Sequence, residues 1–265
     1  MKSLLNFRSI LVLSFALLSS QAFATPQQLL SNVHKMRLLS AESLTNFYMY
    51  SGLDADTKYG KKILNNLNEF EKVLENTRLL PAADGISDSL TQVDASWAKY
   101  DKLIRINYKD MGTQGFSNVR LVDEMGKINA VLLKILSQTY QDAKISTGIT
   151  PPEVVETART LSITMEEITS QYAARGTSNL GQVFIGSYER TLEEMAVAFR
   201  TDLADLKTQA NPDNSKRVLR AIDSKWNFME RSIKNYNENT VPFLVTSYSE
   251  RIIVNLEELV VMHDF

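Results

Sequence analysis

The sequence predicts an all-α protein made of two tandem up-down-up-down four-helix bundles. Three observations lead there. The tetrapeptide Arg37-Leu38-Leu39-Ser40 returns as Arg159-Thr160-Leu161-Ser162, each copy early in an apolar-periodic segment. The segments around and after each copy match one another at offsets that hold within a segment and shift between segments, which places the length differences in loops. No stretch alternates apolar and polar residues with period two for long, so the strand signal is absent.

Residues 1–24 stand apart from the repeat. They carry Lys2 and Arg8 and no acid, run apolar from Ile10 to Leu18, and end in Ala22-Phe23-Ala24, the small-x-small pattern that signal peptidase accepts. That apolar run is shorter than the roughly 20 residues a spanning helix needs. They are expected to be a signal peptide cleaved before Thr25, with the mature chain in a Gram-negative periplasm and no membrane span left. The most apolar later stretch, Ala130–Leu136, is interrupted by Lys134.

Module one is residues 25–149 and module two is residues 150–265. Both are expected to open with a capped helix, at Thr25-Pro26-Gln27-Gln28 and at Thr150-Pro151-Pro152-Glu153. Thr accepts from a free backbone N–H, Pro loses nothing at the first helical position, and Gln28 or Glu153 can complete a capping box. In the first helix Val33, Met36, Ser40, Ser43, Phe47 and Tyr50 form a seam, repeated by Val155, Ala158, Ser162, Met165, Thr169 and Tyr172. Small residues in both seams let another helix come close, and Gly52 and Gly176 mark the ends.

The second helices align Ile63, Leu67, Phe70 and Leu74 with Tyr188, Leu192, Met195 and Phe199. The third give the strongest match: Leu90, Val93, Asp94, Trp97, Tyr100, Asp101 and Ile104 against Leu219, Ile222, Asp223, Trp226, Met229, Glu230 and Ile233. The only two tryptophans of the chain fall in the same place and are expected in the core. The fourth pair Leu121, Val122, Met125, Leu133 and Leu136 with Leu244, Val245, Tyr248, Leu256 and Leu259. Loops are expected at 81–85, 111–115, 211–214 and 237–242, with Thr147-Gly148-Ile149 as the linker between modules.

Composition limits the chemistry. Without Lys2 and Arg8 the 29 basic residues become 27 against the same 31 acids, a net charge of −4, which argues against a nucleic-acid partner. No cysteine is present, so there is no disulfide, lipid-anchored cysteine or thiolate metal site. His34 and His263 follow Ser31 and Val260 by three positions, so neither completes the Glu-x-x-His pair of carboxylate-bridged metal bundles. His34 reads as a helix-surface residue. Glu166-Glu167, Glu193-Glu194 and Glu257-Glu258 read as solvated pairs, because adjacent side chains diverge around a helix. Tyr48, Met49 and Tyr50 read as an aromatic end-plug or a contact surface. No enzyme, metal or cofactor is expected.

The repeated arginines are the candidate ligand-binding residues. Arg37 lies beside Met36 and Ser40, and Arg159 beside Ala158 and Ser162, so each arginine fork has a hydroxyl one turn on. A guanidinium inside a bundle costs several kcal/mol unless an anion or carboxylate meets it. A salt bridge within the protein, or a side chain reaching out to water, satisfies it as well as a bound anion would.

Arg-x-Leu-Ser early in the first helix of such a module resembles the type IV pili methyl-accepting chemotaxis transducer N-terminal domain, a family related to the sensor region of nitrate/nitrite sensor kinases. The resemblance covers each module from first helix to last, including the Trp of the third. It implies a periplasmic four-helix sensor, with Arg37, Ser40, Arg159 and Ser162 as ligand residues and a small anion, or another small ligand, held where two first helices face each other. The family's glycine three positions before the arginine is His34 and Glu156 here, and the kinases' second arginine is Glu42 and Thr164. Glu42 repels an anion, so the Arg159 site is expected to be the stronger. No kinase, HAMP or methyl-accepting region follows up to Phe265, so signalling is expected to need a membrane receptor partner. The competing expectation is an assembly factor for an envelope machine such as a pilus. A polar pocket at Arg37 and Arg159 would favour the first, an exposed apolar stripe the second.

Overall fold

The computed structural model describes residues 26–176, 190–210, 212–236 and 241–263. The leader, Thr25 and Tyr188 lie outside them. Every regular element among the described residues is helical. In chain order these are α1 (Pro26–Gly52), α2 (Thr57–Arg78), a 3-10 turn (Pro81–Ile86), α3 (Ser87–Gln114), α4 (Val119–Thr147), α5 (Glu153–Gly176), α6 (Leu192–Gln209), α7 (Pro212–Lys234) and α8 (Pro242–His263). None of them is long and apolar enough to cross a membrane.

Local chemistry sets several boundaries. Asp56 caps α2 by accepting from the backbone N–H of Lys58 at 2.7 Å, and Asn118 caps α4 by accepting from that of Arg120 at 3.0 Å. Thr191 and Glu194 form a reciprocal capping box at the start of α6. Gly115 and Gly148 end α3 and α4 in the left-handed conformation, at φ 78° and 68°, which costs glycine no Cβ clash.

Three boundaries differ from those expected. α5 begins at Glu153, with the Pro152 carbonyl accepting from the N–H groups of Val155 and Glu156. Glu153 bonds Gln209 instead of closing a capping box on Thr150. The stretch expected to be a loop at 111–115 is the last turn of α3 with its Gly115 cap, and α7 starts at Pro212, inside the loop expected at 211–214.

Each repeat has its own apolar core. The first joins α1 to α4 through residues such as Met36, Phe47, Phe70, Trp97, Tyr100 and Leu136; Tyr48, Met49 and Tyr50 all belong to it. The second joins α5 to α8 through Met165, Phe199, Trp226, Leu256 and their neighbours. Phe70 stacks on Trp97 with 9° between the rings and 3.6 Å between centroids, and Phe199 meets Trp226 at 4.2 Å and 33°. Packing follows one order in both: α1 lies against α2 and α4 with α3 on α4, and α5 lies against α6 and α8 with α7 on α8.

α1 and α5 also pack against each other, and this contact joins the repeats. Ser31 meets Arg159 and Thr45 meets Glu166, so contacts advance along both helices together. Leu38 of α1 enters the second core, and Ala173 and Ala174 of α5 enter the first. Having partners on three sides, both helices are buried nearly all round, well beyond the narrow seams expected for them.

Candidate functional site

Among the described residues, most of the buried polar side chains lie on α1 and α5. An apolar contact would suffice to join two modules. Here the buried side chains include His34, Thr45, Asn46, Arg159 and Glu166. Each must be hydrogen-bonded or pay for its dehydration.

One end is basic. Arg159, only 2% exposed, donates through Nη1 to the Tyr140 hydroxyl at 2.8 Å and through Nη2 to Ser31 Oγ at 3.0 Å. Tyr140 in turn donates to Glu156, which also accepts from Lys144 at 2.8 Å. Arg37 lies over the same tyrosine ring, its guanidinium carbon 5.6 Å from the centroid against 5.8 Å for Arg159. Its Nε is buried without a hydrogen-bond partner. Burial pulls the Arg37 pKa down, while Tyr140, Glu167 and Glu156 pull it up and Arg159 lowers it further. Tyr140 is pushed up to about 12, first by burial and then by its bond to Glu156.

His34 is buried, not on the helix surface as expected. Its Nε2 lies 3.0 Å from Glu257 of α8, which also accepts from Ser162 Oγ at 2.8 Å. Burial lowers the imidazole pKa and outweighs Glu257, so the contact is best described as a neutral Nε2–H donating to a carboxylate rather than a full ion pair. Burial raises the Glu257 carboxyl, but the bonds from His34 and Ser162 together with Arg159 outweigh it and hold it below the usual range.

The serines of the repeated tetrapeptide face away from their arginines. Ser40 accepts from Asn129 of α4, at 2.9 Å on its hydroxyl and 3.0 Å on its carbonyl, and Ser162 donates to Glu257. Both therefore face the last helix of their own repeat, whereas Arg37 and Arg159 face the seam. Of the four candidate residues, the structure brings together the two arginines and leaves each serine in a core contact.

The other end is acidic. A cavity of about 260 Å³ opens where α1, α2, α5 and α8 meet, walled by Glu42, Glu166, Glu250 and Lys62 among others. Lys62 pairs with Glu250. Thr45 donates to Glu166 at 3.0 Å and Asn66 to Glu42 at 3.3 Å. Burial and the neighbouring Glu250 push Glu42 up to about 7, and burial with Glu42 pushes Glu166 well above the usual carboxylate range. Glu166 is 3% exposed, which corrects its reading as half of a solvated pair. Glu257 is half-buried, while Glu193 and Glu194 are exposed as expected. Glu42 lines this cavity, while Arg37 lies over Tyr140 at the basic end.

The acidic end was missed in the sequence, although a signal existed. Leu38, Leu39, Ala41 and Leu44 lie off the first seam, and Leu161, Ile163 and Ile168 off the second. A helix apolar on more than one side is packed on more than one side. Glu42 and Glu166, each set among such residues, were then candidates for burial. Comparison with protein-family models, with curated proteins and with solved structures finds no match to this chain.

Proposed function

We propose that the chain is an exported, sensor-type helical protein. Its repeats, residues 25–149 and 150–265, are two up-down-up-down four-helix bundles, and a small ligand binds where their first helices meet. Residues 1–24 are the signal peptide that directs it to the periplasm. The ligand at the basic end is a small anion, held by Arg37 and Arg159, and a membrane receptor partner reads the bound state.

One observation carries this reading. Arg37 and Arg159, equivalent in the repeat, converge over the single ring of Tyr140. Two like charges brought together under partial burial repel, and an anion between or beside them relieves that cost. Arg159 is already engaged by Tyr140 and Ser31, so its role is to position the ring and the field. Arg37 forms no hydrogen bond or ion pair with a described side chain and keeps its donors for a ligand.

Calorimetric titration of nitrate, nitrite and small carboxylates into wild type, Arg37→Ala and Arg159→Ala tests it. One anion should bind wild type, and Arg37→Ala should abolish binding with little loss of stability. Arg159→Ala should weaken both. Silence from every anion, with Arg37→Ala as stable as the parent, would leave Arg37 with neither a binding nor a structural role and overturn the reading.

A further inference from the structure

We infer that the acidic cavity between the repeats is a binding site for a small organic cation bearing primary ammonium groups, such as a short aliphatic diamine. The inference rests on the seam being a ligand-binding surface but uses its other end and the opposite charge.

Charge balance comes first. Three carboxylates, Glu42, Glu166 and Glu250, wall the cavity with one ammonium, Lys62, and that ammonium is paired with Glu250. Glu42 and Glu166 have only neutral donors, Asn66 and Thr45, each of which reaches one oxygen. The second oxygen of each accepts from no described side chain. Neutral donors do not cancel a buried carboxylate's charge, so both acids hold their protons above the usual carboxylate range, and a cation in the cavity would take the proton's place.

An independent observation points the same way. Thr246 of α8 is 2% exposed and lies on the cavity wall, yet its Oγ1 has no hydrogen-bond partner. A buried hydroxyl left unsatisfied in a folded protein calls for a missing partner, and an N–H in the cavity supplies one. The cavity is polar on this side, while Ile253 and Val254 line it elsewhere, suited to a methylene chain. Val254 is 66% exposed and marks the mouth.

The shape argues for an organic cation over a metal ion. Among the described residues no three His, Asp or Glu side chains are gathered closely enough to hold a metal. Carboxylates spread around a cavity suit a ligand whose N–H groups are themselves spread. At about 30 Å³ per molecule the space holds about eight waters, or a ligand with a similar number of heavy atoms. Burial keeps Glu42 protonated until pH rises to about 7, with Glu250 and Glu257 raising it and Lys62 lowering it. Uptake should therefore strengthen from pH 6 to pH 8.

The test is calorimetric titration of 1,4-diaminobutane and butylamine into the mature protein at pH 8, in about 0.15 M salt to screen loose surface attraction. Wild type should bind the diamine at millimolar concentrations or below. Glu42→Gln and Glu166→Gln should each weaken it at least tenfold, and Thr246→Val severalfold, with circular dichroism reporting that each variant is folded. If Glu166→Gln fails to fold, Glu42→Gln and Thr246→Val decide the matter. No binding by wild type at pH 8, or binding that survives both folded variants unchanged, overturns the proposal. An amine that binds while every anion fails separates this site from the arginine reading, and the reverse result does so equally.

Discussion

α1 and α5 correspond in sequence at some positions and differ at others, and the seam between them uses both. Position for position, Arg37 matches Arg159 and Ser40 matches Ser162, but Glu42 stands opposite Thr164 and Leu44 opposite Glu166. Each helix thus supplies one acid, at non-equivalent places, and both acids reach the same cavity. Each supplies one arginine, at equivalent places, and both reach the same tyrosine. The arginines stand at equivalent positions of the repeat, and the acids at non-equivalent ones. The cores show the same contrast more mildly. Trp97 and Trp226 are equivalent, but their aromatic partners are not: Phe70 corresponds to Met195, while Phe199 corresponds to Leu74, one turn along.

The largest effect should come from the part of the comparison that is most nearly equal. Trp97 and Trp226 are both buried against a phenylalanine ring, so Trp97→Ala and Trp226→Ala should each cost about 3–5 kcal/mol. Urea denaturation followed by circular dichroism reads both. A loss well under 1 kcal/mol at either position would break the equivalence of the two cores.

The arginines should separate next. Arg159→Met leaves the Tyr140 hydroxyl and Ser31 short of a donor and leaves Glu257 with less compensating charge, and should cost about 3 kcal/mol. Arg37→Met removes a ring contact and a dehydrated charge with no bonds to break, and should cost at most about 1 kcal/mol. Equal losses in denaturant melts would mean that Arg37 is held as firmly as its counterpart.

Much of this architecture was legible because the repeat does what a single pattern cannot. Two copies of Leu90 to Ile104 with the same spacing made the third helices secure, and Gly148 before Pro151 and Pro152 gave the joint between repeats. The seam was not legible for a physical reason. Periodicity reports the side of a helix that meets its own core, and it counted Ser40 and Ser162 correctly on that side. It says nothing of a second buried side, where His34 and Glu166 owe their burial to helices 121 or more residues away in the sequence. Charged residue types read as solvated unless the partner is known, and the partners Thr45, Glu257 and Tyr140 lie on other helices. The boundaries missed at 111–115 and 211–214 have a local cause. Glycine, asparagine and proline are compatible with a helix end as well as with a loop.

The last of these effects isolates the acids, and its sign follows from the direction of the shift. Glu42 holds its proton up to about pH 7 in the folded protein but only to the ordinary carboxylate value when unfolded. Between those two values the folded state binds more protons, so stability falls as pH rises. The contribution is fully present below the unfolded value and is lost as pH passes through 7. For a half-buried group the loss, discounted for water at the cavity mouth, is about 2 kcal/mol. His34 works against it below pH 6.5, because its lowered pKa makes the unfolded chain the better proton binder there. Glu42→Gln removes one contribution and keeps the other. At pH 5 the variant should match wild type, and by pH 8 it should be the more stable of the two. Thr164→Val, altering the matching position of α5, should show no such crossover, since no acid stands there. Urea melts at pH 5, 6.5 and 8 on the three proteins measure the difference. A wild type no less stable relative to Glu42→Gln at pH 8 than at pH 5 would mean that Glu42 is ionised and solvated throughout, and that α1 and α5 do not enclose it.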